Sequence, residues 1–362
     1  MDQEIYSIIR LARSVGVGHV TFRQLMQQYN SAQDAVANFN EFVTKYKLQN
    51  KVSLSTTAQI DQELGCLNKI GGQLITYKDT RYPNLLKQIY DFPILLSALG
   101  NLDFASKACI AIVGSRNASA NGYRYGYMLA KQATERGYVV TSGLARGIDT
   151  AAHYGAIGHT IACLAGGVDF IYPPENHKLY DELKETGLII SEMPFGTIPK
   201  ATNFPMRNRI ISGISESVIV VEAALNSGSL ITARCALEQN RDVYAVPSFP
   251  GDPRARGTIK LLKEGAYLIE DFNDYKKDFY IVNRQKAFDS ILIEEDKEED
   301  MPLDMHDVDQ VILQQINSSP VAIDEIVAIT SLSINIVLST ISKFELEGRV
   351  CRQNGNKVVL IK

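Results

Sequence analysis

Four arginines stand in short stretches rich in glycine, hydroxyl and amide side chains. Arg116 lies in GSRNAS (114–119), Arg146 in SGLARGIDTAAH (142–153), and Arg207 and Arg209 in NFPMRNRIISG (203–213). A guanidinium is a planar, multi-donor fork that matches phosphate oxygens. Glycines let a backbone approach closely, and helix N-termini carry partial positive charge that favours anions. Together these stretches predict a site for several phosphates, with Phe204 as a loop aromatic beside Asn203 and Asn208. Each has a plainer reading as well. Tight turns need glycine anyway, Arg146 and Asp149 can pair across a helix start, and Arg209 can be buried against Glu222.

Other chemistries leave weaker marks. Glu192 and Glu222 are two carboxylates that could serve cleavage of a glycosidic bond. His153 follows Asp149 by four residues, a spacing that lets the two pair on a helix. The five histidines show no metal-ligand spacing. No GxGxxG follows the first apolar strand, and no GxxxxGK[ST] occurs, which argues against dinucleotide and Walker-type nucleotide binding. The five cysteines, Cys66, Cys109, Cys163, Cys235 and Cys351, are scattered and form neither a disulfide framework nor a zinc site. No catalytic set, metal site or cofactor is expected.

The elements that must position these loops are legible as apolar runs. ACIAIVG (108–114), YVVTSG (138–143), TIACLAGG (160–167), LIISEMP (188–194), VIVVEA (218–223) and DVYAVP (242–247) read as buried parallel strands. Helical patterns such as YGYMLAKQATERG and LITARCALEQN separate them, so residues 107–270 predict a doubly wound α/β sheet. In such a sheet ligands bind beyond the carboxyl ends of the strands, which is where the arginine loops fall. The apolar segment 214–221 suits either core or an interface.

Residues 1–75 carry helical periodicity, and the GVGHVTF turn is similar to a helix-hairpin-helix, whose glycine turn can approach a phosphate. The run EEDKEED (294–300) predicts a solvated acidic linker over 276–303. Residues 304–362 then read as three helices and a hairpin turning at Asn354-Gly355, the winged-helix order. The third helix carries Lys343 among Glu345 and Glu347, which suits a protein contact better than a DNA groove.

Net charge is −4, yet it is uneven: about +1 over 1–106, about +2 over 107–270 and about −7 over 271–362. A local anion site in the middle segment is therefore allowed. The N-terminus MDQEIYSIIR has no signal-peptide pattern, and no run approaches the roughly 18 apolar residues of a membrane helix. A cytoplasmic protein with no membrane partner is expected.

Taken together, IVGSRNAS, TSGLARGIDTAAH, LAGGVDFIYPPENHKLY, ISEMPFG, NFPMRNRIISG, VVEAALNSGSLITA and PGDPRARGTIKLLKEGA resemble the DNA processing protein A (DprA/Smf) family over residues 76–271. The resemblance implies an extended Rossmann-like domain over 76–275, preceded by a helical domain (1–75) of SAM or helix-hairpin-helix type and followed by a winged-helix domain (304–362). It implies a non-enzymatic single-stranded DNA binder that protects incoming strands during natural transformation and loads the RecA recombinase. A homodimer is implied, and single-strand binding protein is a further candidate partner. DNA contacts carry over onto Gly114, Ser115 and Arg116; Ser142, Gly143, Arg146 and Gly147; Asn176 and Lys178; Lys200, Phe204, Arg207, Asn208 and Arg209; and Ser227 and Ser229. The chain departs from the family pattern at Met206, where a basic residue is usual, and at Ile259, where an asparagine is common. Asp252 also lowers the positive charge of its loop.

Two other readings compete. A nucleotide-processing enzyme of the Lonely Guy class would use the same sheet edge, but the PGGxGTxxE signature is missing and NSGSLITARCALE is the nearest stretch. A structural adaptor would use the C-terminal unit to bind proteins.

Overall fold

The computed structural model describes residues 2–49, 51–276, 305–316, 321–330, 332, 334–353 and 357–361. The chain divides into two compact units, Met1–Val282 and Asn283–Lys362. The acidic run 294–300 and the hairpin turn at Asn354-Gly355 lie outside the described residues.

The first unit begins with five helices: α1 (Gln3–Ala12), α2 (His19–Gln28), α3 (Ala32–Ala37), α4 (Phe39–Lys45) and α5 (Thr57–Lys69). Their periodic apolar positions gather Ile8, Leu11, Phe22, Leu25, Phe39 and Phe42 into one core. The GVGH turn joins α1 to α2, and Gly18 stands at the N-cap of α2 with no side-chain cap. Beside the turn, the Arg23 guanidinium lies 4.6 Å over the Tyr90 ring.

Nine strands form one sheet in the order β1-β2-β6-β5-β4-β3-β7-β8-β9. They are β1 (Gln73–Thr76), β2 (Leu95–Gly100), β3 (Cys109–Val113), β4 (Val139–Ser142), β5 (Thr160–Cys163), β6 (Leu188–Ser191), β7 (Ser217–Val220), β8 (Asp242–Ala245) and β9 (Tyr267–Leu268). The β1–β2 and β2–β6 pairs are antiparallel and the rest are parallel. All six strands expected from apolar runs are present. β1, β2 and β9 were not expected; they extend the sheet at both edges.

Between the strands run α6 (Ala120–Glu135), α7 (Ile148–Gly155), α8 (His177–Thr186), α9 (Asn203–Ile214), α10 (Ser229–Glu238) and α11 (Arg256–Lys263). Side chains alternate across each strand, so the central strands feed two cores. Cys109, Ala111 and Val113 meet Ile210, Ile211 and Ile214 of α9 and Ala233 and Ala236 of α10. Ile110 and Ile112 meet Leu129, Ala130 and Ala133 of α6 and Ile148 and Ala152 of α7. Ile214 and residues 218–221 are buried, so that segment is core.

The chain order reverses at β3. β4, β5 and β6 are laid to one side and β7, β8 and β9 to the other. Such a reversal leaves a crevice at the carboxyl ends of the two central strands. Across it lies α9, whose first two turns, NFPMRNR, were expected to be loop. Helix is possible from Asn203 because Pro205 falls in the first turn, where no N–H is needed. Arg207, Ile210, Ile211 and Ile214 share its buried face. An arginine thus occupies a position that helical spacing assigns to a hydrophobe.

The second unit contains α12 (Met305–Gln314), α13 (Ile323–Thr330) and α14 (Ile334–Leu346), with a sheet ordered β10 (Val321–Ala322), β12 (Lys357–Leu360), β11 (Val350–Gln353). Ile312, Ile326, Val337, Ile341, Phe344 and Val358 form its core. Lys343 of α14 is spent on Asp309 at 2.5 Å. Among the described residues no helix is long and apolar enough to cross a membrane.

Two glycines with similar positive φ contrast a closely packed site with an open one. Gly147 has φ +78° and a Cβ there would sit 2.2 Å from the Ser115 carbonyl oxygen, whereas Gly158 has φ +82° with open space around it. Gly158→Ala should cost about 1–2 kcal/mol from the left-handed backbone alone. Gly147→Ala should cost about 2–3 kcal/mol more by forcing the loops after β3 and β4 apart. Urea unfolding of the two variants checks this difference.

Candidate functional site

A groove of about 770 Å3 opens at the crevice. Its walls come from Gly114–Asn117 after β3, Ala145 and Asp149 after β4, Tyr172 after β5, Phe204, Pro205, Arg207 and Asn208 of α9, and Asn226–Ser229 after β7. Four helices, α6, α7, α9 and α10, begin at this edge of the sheet and add their N-terminal partial charges to it. A smaller cavity of about 370 Å3, lined by Arg13, Glu63, Cys66 and Phe195, has its two charges already paired with each other at 2.9 Å.

Of the residues singled out by sequence, Gly114, Ser115, Arg116, Phe204, Arg207, Asn208, Ser227 and Ser229 line the groove. Arg116 is exposed, and its guanidinium carbon lies 4.8 Å over the Phe204 ring. The Ser227 and Ser229 hydroxyls lie 2.7 Å apart, and the Asn208 amide donates to the Gly228 carbonyl at 3.2 Å.

Arg207 is different in kind. It is only 5% exposed. Its Nη1 donates to the carbonyls of Gly143 at 2.5 Å and Cys163 at 2.6 Å, the ends of β4 and β5. A Cβ on Gly143 would lie 1.9 Å from that same nitrogen, so only glycine fits there. Burial lowers the pKa of the guanidinium, and nearby Asp149 opposes the shift.

The SGLARG loop is held by a buried polar frame. The Asp149 carboxylate accepts from the Gly143 and Ala145 N–H groups at 3.1 and 3.4 Å. The Leu144 N–H donates to His153 Nε2 at 3.3 Å, so the proton of the neutral ring sits on Nδ1, 2.7 Å from the Thr160 hydroxyl. That hydroxyl donates onward to the Val140 carbonyl at 2.7 Å. Asp149 and His153 therefore do not pair with each other, contrary to the helical spacing. Each fixes a different N–H of one loop. Asn176 joins them, its amide donating to the Leu144 carbonyl and to Thr150 Oγ1, both at 2.9 Å. This frame holds Leu144 at φ +54°, a backbone state costly for a branched side chain.

The remaining candidates lie off the groove wall. Ser142 is buried and donates to the Ile112 carbonyl at 2.7 Å. Gly147 packs on Ser115 and Arg116. Arg146, Lys178 and Lys200 are exposed, and Arg146 pairs with Glu175 at 3.4 Å. Arg209 pairs with Glu192 at 2.6 Å and Asp91 at 3.2 Å, not with Glu222. Glu222 instead accepts from the Ser119 N–H and hydroxyl at the start of α6. Neither carboxylate lines the groove, so the pair offered for glycosidic cleavage has no shared substrate space.

Sequence reasoning missed Tyr172, Asn117 and Asn226 on the groove wall. The Tyr172 and Phe204 rings lie 5.6 Å apart at 58°. The only sequence signal for Tyr172 was its place in the Tyr-Pro-Pro run after a strand.

The two groove arginines should respond differently to removal. Arg207→Ala strands Asp149 without its counter-charge and two carbonyls without a donor, and should cost about 3–5 kcal/mol. Arg116→Ala should stay within about 0.5 kcal/mol of the parent. Urea unfolding midpoints distinguish them. Burial pushes the His153 imidazole down to about 3. The unfolded chain, with an ordinary value near 6.5, binds the extra proton first, so stability falls as pH drops from about 6.5 toward 3. Asp149, pushed up by burial, works with the opposite sign just above the ordinary carboxylate range. Between pH 7 and 5 the parent should lose stability with a slope approaching 1.4 kcal/mol per pH unit, and His153→Asn should lose most of that slope.

Comparison with known proteins bears on the whole chain. Residues 73–280 match the DNA recombination-mediator protein A family, residues 2–65 a DprA-like N-terminal HHH domain, and residues 297–356 a DprA winged helix domain. The DNA processing protein DprA of Bacillus subtilis is 44% identical over 220 residues, covering 60% of this chain and 74% of its own. Protein Smf of Synechocystis is 34% identical over 313 residues, covering 78% and 79%. A solved structure of DNA processing protein A from Helicobacter pylori, described for its single-stranded DNA binding mode, superposes with a TM-score of 0.53 at 29% identity, over 59% of this chain and 97% of its own. With its helical start, its mainly parallel sheet and its winged-helix end, the chain belongs to the DprA/Smf family of DNA processing proteins.

Proposed function

We propose that this protein binds single-stranded DNA in the groove at the carboxyl edge of its sheet, and that it acts by binding and not by catalysis. The observation that carries this reading is the half-buried Phe204 ring on the groove wall with the Arg116 guanidinium 4.8 Å over it. A sequence-tolerant single-strand site needs an aromatic platform for bases beside cations for phosphates, and each stacked base contributes about 1–3 kcal/mol. Asp149, the acid on the groove wall, is buried and already engaged by two N–H groups, so it does little to repel a phosphate. The chain's net charge of −4 is compatible with this, because the acidity is concentrated after residue 270.

In this reading Arg116, Lys178 and Lys200 meet phosphates, while Ser115, Asn208, Ser227 and Ser229 meet sugar or phosphate oxygens. Gly143, Gly147, Asn176 and Arg207 hold the loops that make the groove, and Ser142 and Arg209 hold the elements behind it. The domain division is proposed as 1–75, 76–275, 276–303 and 304–362. The wider role is to protect incoming strands in the cytoplasm and to load RecA on them, as a homodimer, during transformation and recombination. The family's name as a recombination mediator supports this role.

Binding of a fluorescent oligothymidine across a salt series tests the reading, with a duplex of equal length beside it. The single strand should bind more tightly and with a steep negative dependence on salt. Arg116→Ala should reduce that slope by about one, and Phe204→Ala should weaken binding about tenfold at unchanged slope. Equal affinity for both nucleic acids, or none, would remove the proposal.

A further inference from the structure

We propose that Tyr172 is a second base-stacking ring of the groove and takes the nucleotide adjacent to the one on Phe204. The inference rests on the single-strand reading above and adds a contact that the sequence motifs did not supply. Tyr172 lines the groove, stays 41% exposed, and its hydroxyl has no hydrogen-bond partner among the described residues. Among the described residues its one ring contact is with Phe204, the other aromatic of the groove wall. Tyr180, eight residues on, shows what a structural tyrosine of the same segment looks like: it is buried, and its hydroxyl donates to the Val168 carbonyl at 2.5 Å.

The ring geometry decides how bases are taken. Phe204 has Tyr172 on its groove side at 5.6 Å and 58°, and Arg116 over its ring at 4.8 Å. A base sandwiched between two rings needs about 7 Å, twice a carbon contact distance of about 3.5 Å. The gap is too small and the planes are too tilted for that. The two rings therefore offer separate platforms side by side, and neighbouring bases lie one on each. Both platforms need bare base faces, which a duplex keeps inside its own stack, so Tyr172 adds to the discrimination against double strands. The Arg116 guanidinium lies over the Phe204 ring, so the base on that platform either displaces it or stacks on the guanidinium plane in its place.

The contact is uncharged, which separates it from the phosphate contacts. Oligothymidine binding is measured over a salt series for the parent, Tyr172→Phe, Tyr172→Leu and Tyr172→Ala, with Phe204→Ala as reference. Tyr172→Phe should match the parent, whereas Leu and Ala should each weaken binding about tenfold, with the salt slope unchanged. An oligonucleotide carrying 5-iododeoxyuridine should, on irradiation of the intact parent protein, cross-link to the peptide containing Tyr172. Parent-like affinity of Tyr172→Leu, a changed slope, or cross-links that avoid this peptide would overturn the assignment. If Phe204→Ala weakens binding while the Tyr172 variants do not, this inference fails and the single-strand reading stands. If the parent itself does not prefer the single strand, that reading fails instead.

Discussion

A single buried guanidinium organises the carboxyl edge of the sheet in this protein. Arg207 sits on the inner face of α9 and closes the carboxyl ends of β4 and β5 with one nitrogen. Those carbonyls lie at the carboxyl ends of their strands, and a buried carbonyl left unpaired costs free energy comparable to a lost hydrogen bond. The arginine satisfies both, and by doing so fixes where α9 crosses the crevice. Everything else on that helix inherits its position, including Phe204 and Asn208.

The lock imposes its own requirements on neighbouring loops. Gly143 must lack a side chain because the guanidinium fills the space. The SGLARG loop then passes through Leu144 in a left-handed conformation, which Asp149, His153 and Asn176 stabilise by hydrogen-bonding its N–H and carbonyl groups. Gly147 turns under Ser115 and brings the loop after β3 into register, so Arg116 arrives over Phe204. The polar residues that look most like chemistry in the sequence are, in large part, a frame that holds fewer exposed groups in place.

A second chain of ion pairs ties the N-terminal helices to the same element. Arg13, at the end of α1, pairs with Glu63 of α5 and donates to the Glu192 carbonyl and the Ser97 hydroxyl. The Glu192 carboxylate in turn holds Arg209 of α9, which also reaches Asp91. The two arginines of NFPMRNRIISG thus face different ways. One anchors α9 to the sheet, and the other anchors it to the segment that leads into β2 and, through Glu192, to the helical start of the chain.

The sequence by itself determined the class of the sheet, because continuous apolar runs of five or six residues have few homes other than strands covered on both faces. It determined that glycine- and arginine-rich loops gather at one edge, because parallel strands put their carboxyl ends together. It also determined the helical start and the winged-helix end, whose periodicity needs only local spacing. Tertiary structure alone decided which arginine is exposed and which is buried, since Arg116 and Arg207 look alike in composition and differ only in what packs over them. It decided that α9 begins at Asn203, where a proline in the first turn had read as loop. The short edge strands β1 and β9 are stabilised by pairing with β2 and β8, a long-range term absent from their own residues. The place of Tyr172 in the groove was not legible for the same reason: a ring becomes part of a site through the distance to another ring, and that distance is set by contacts between segments far apart in the chain.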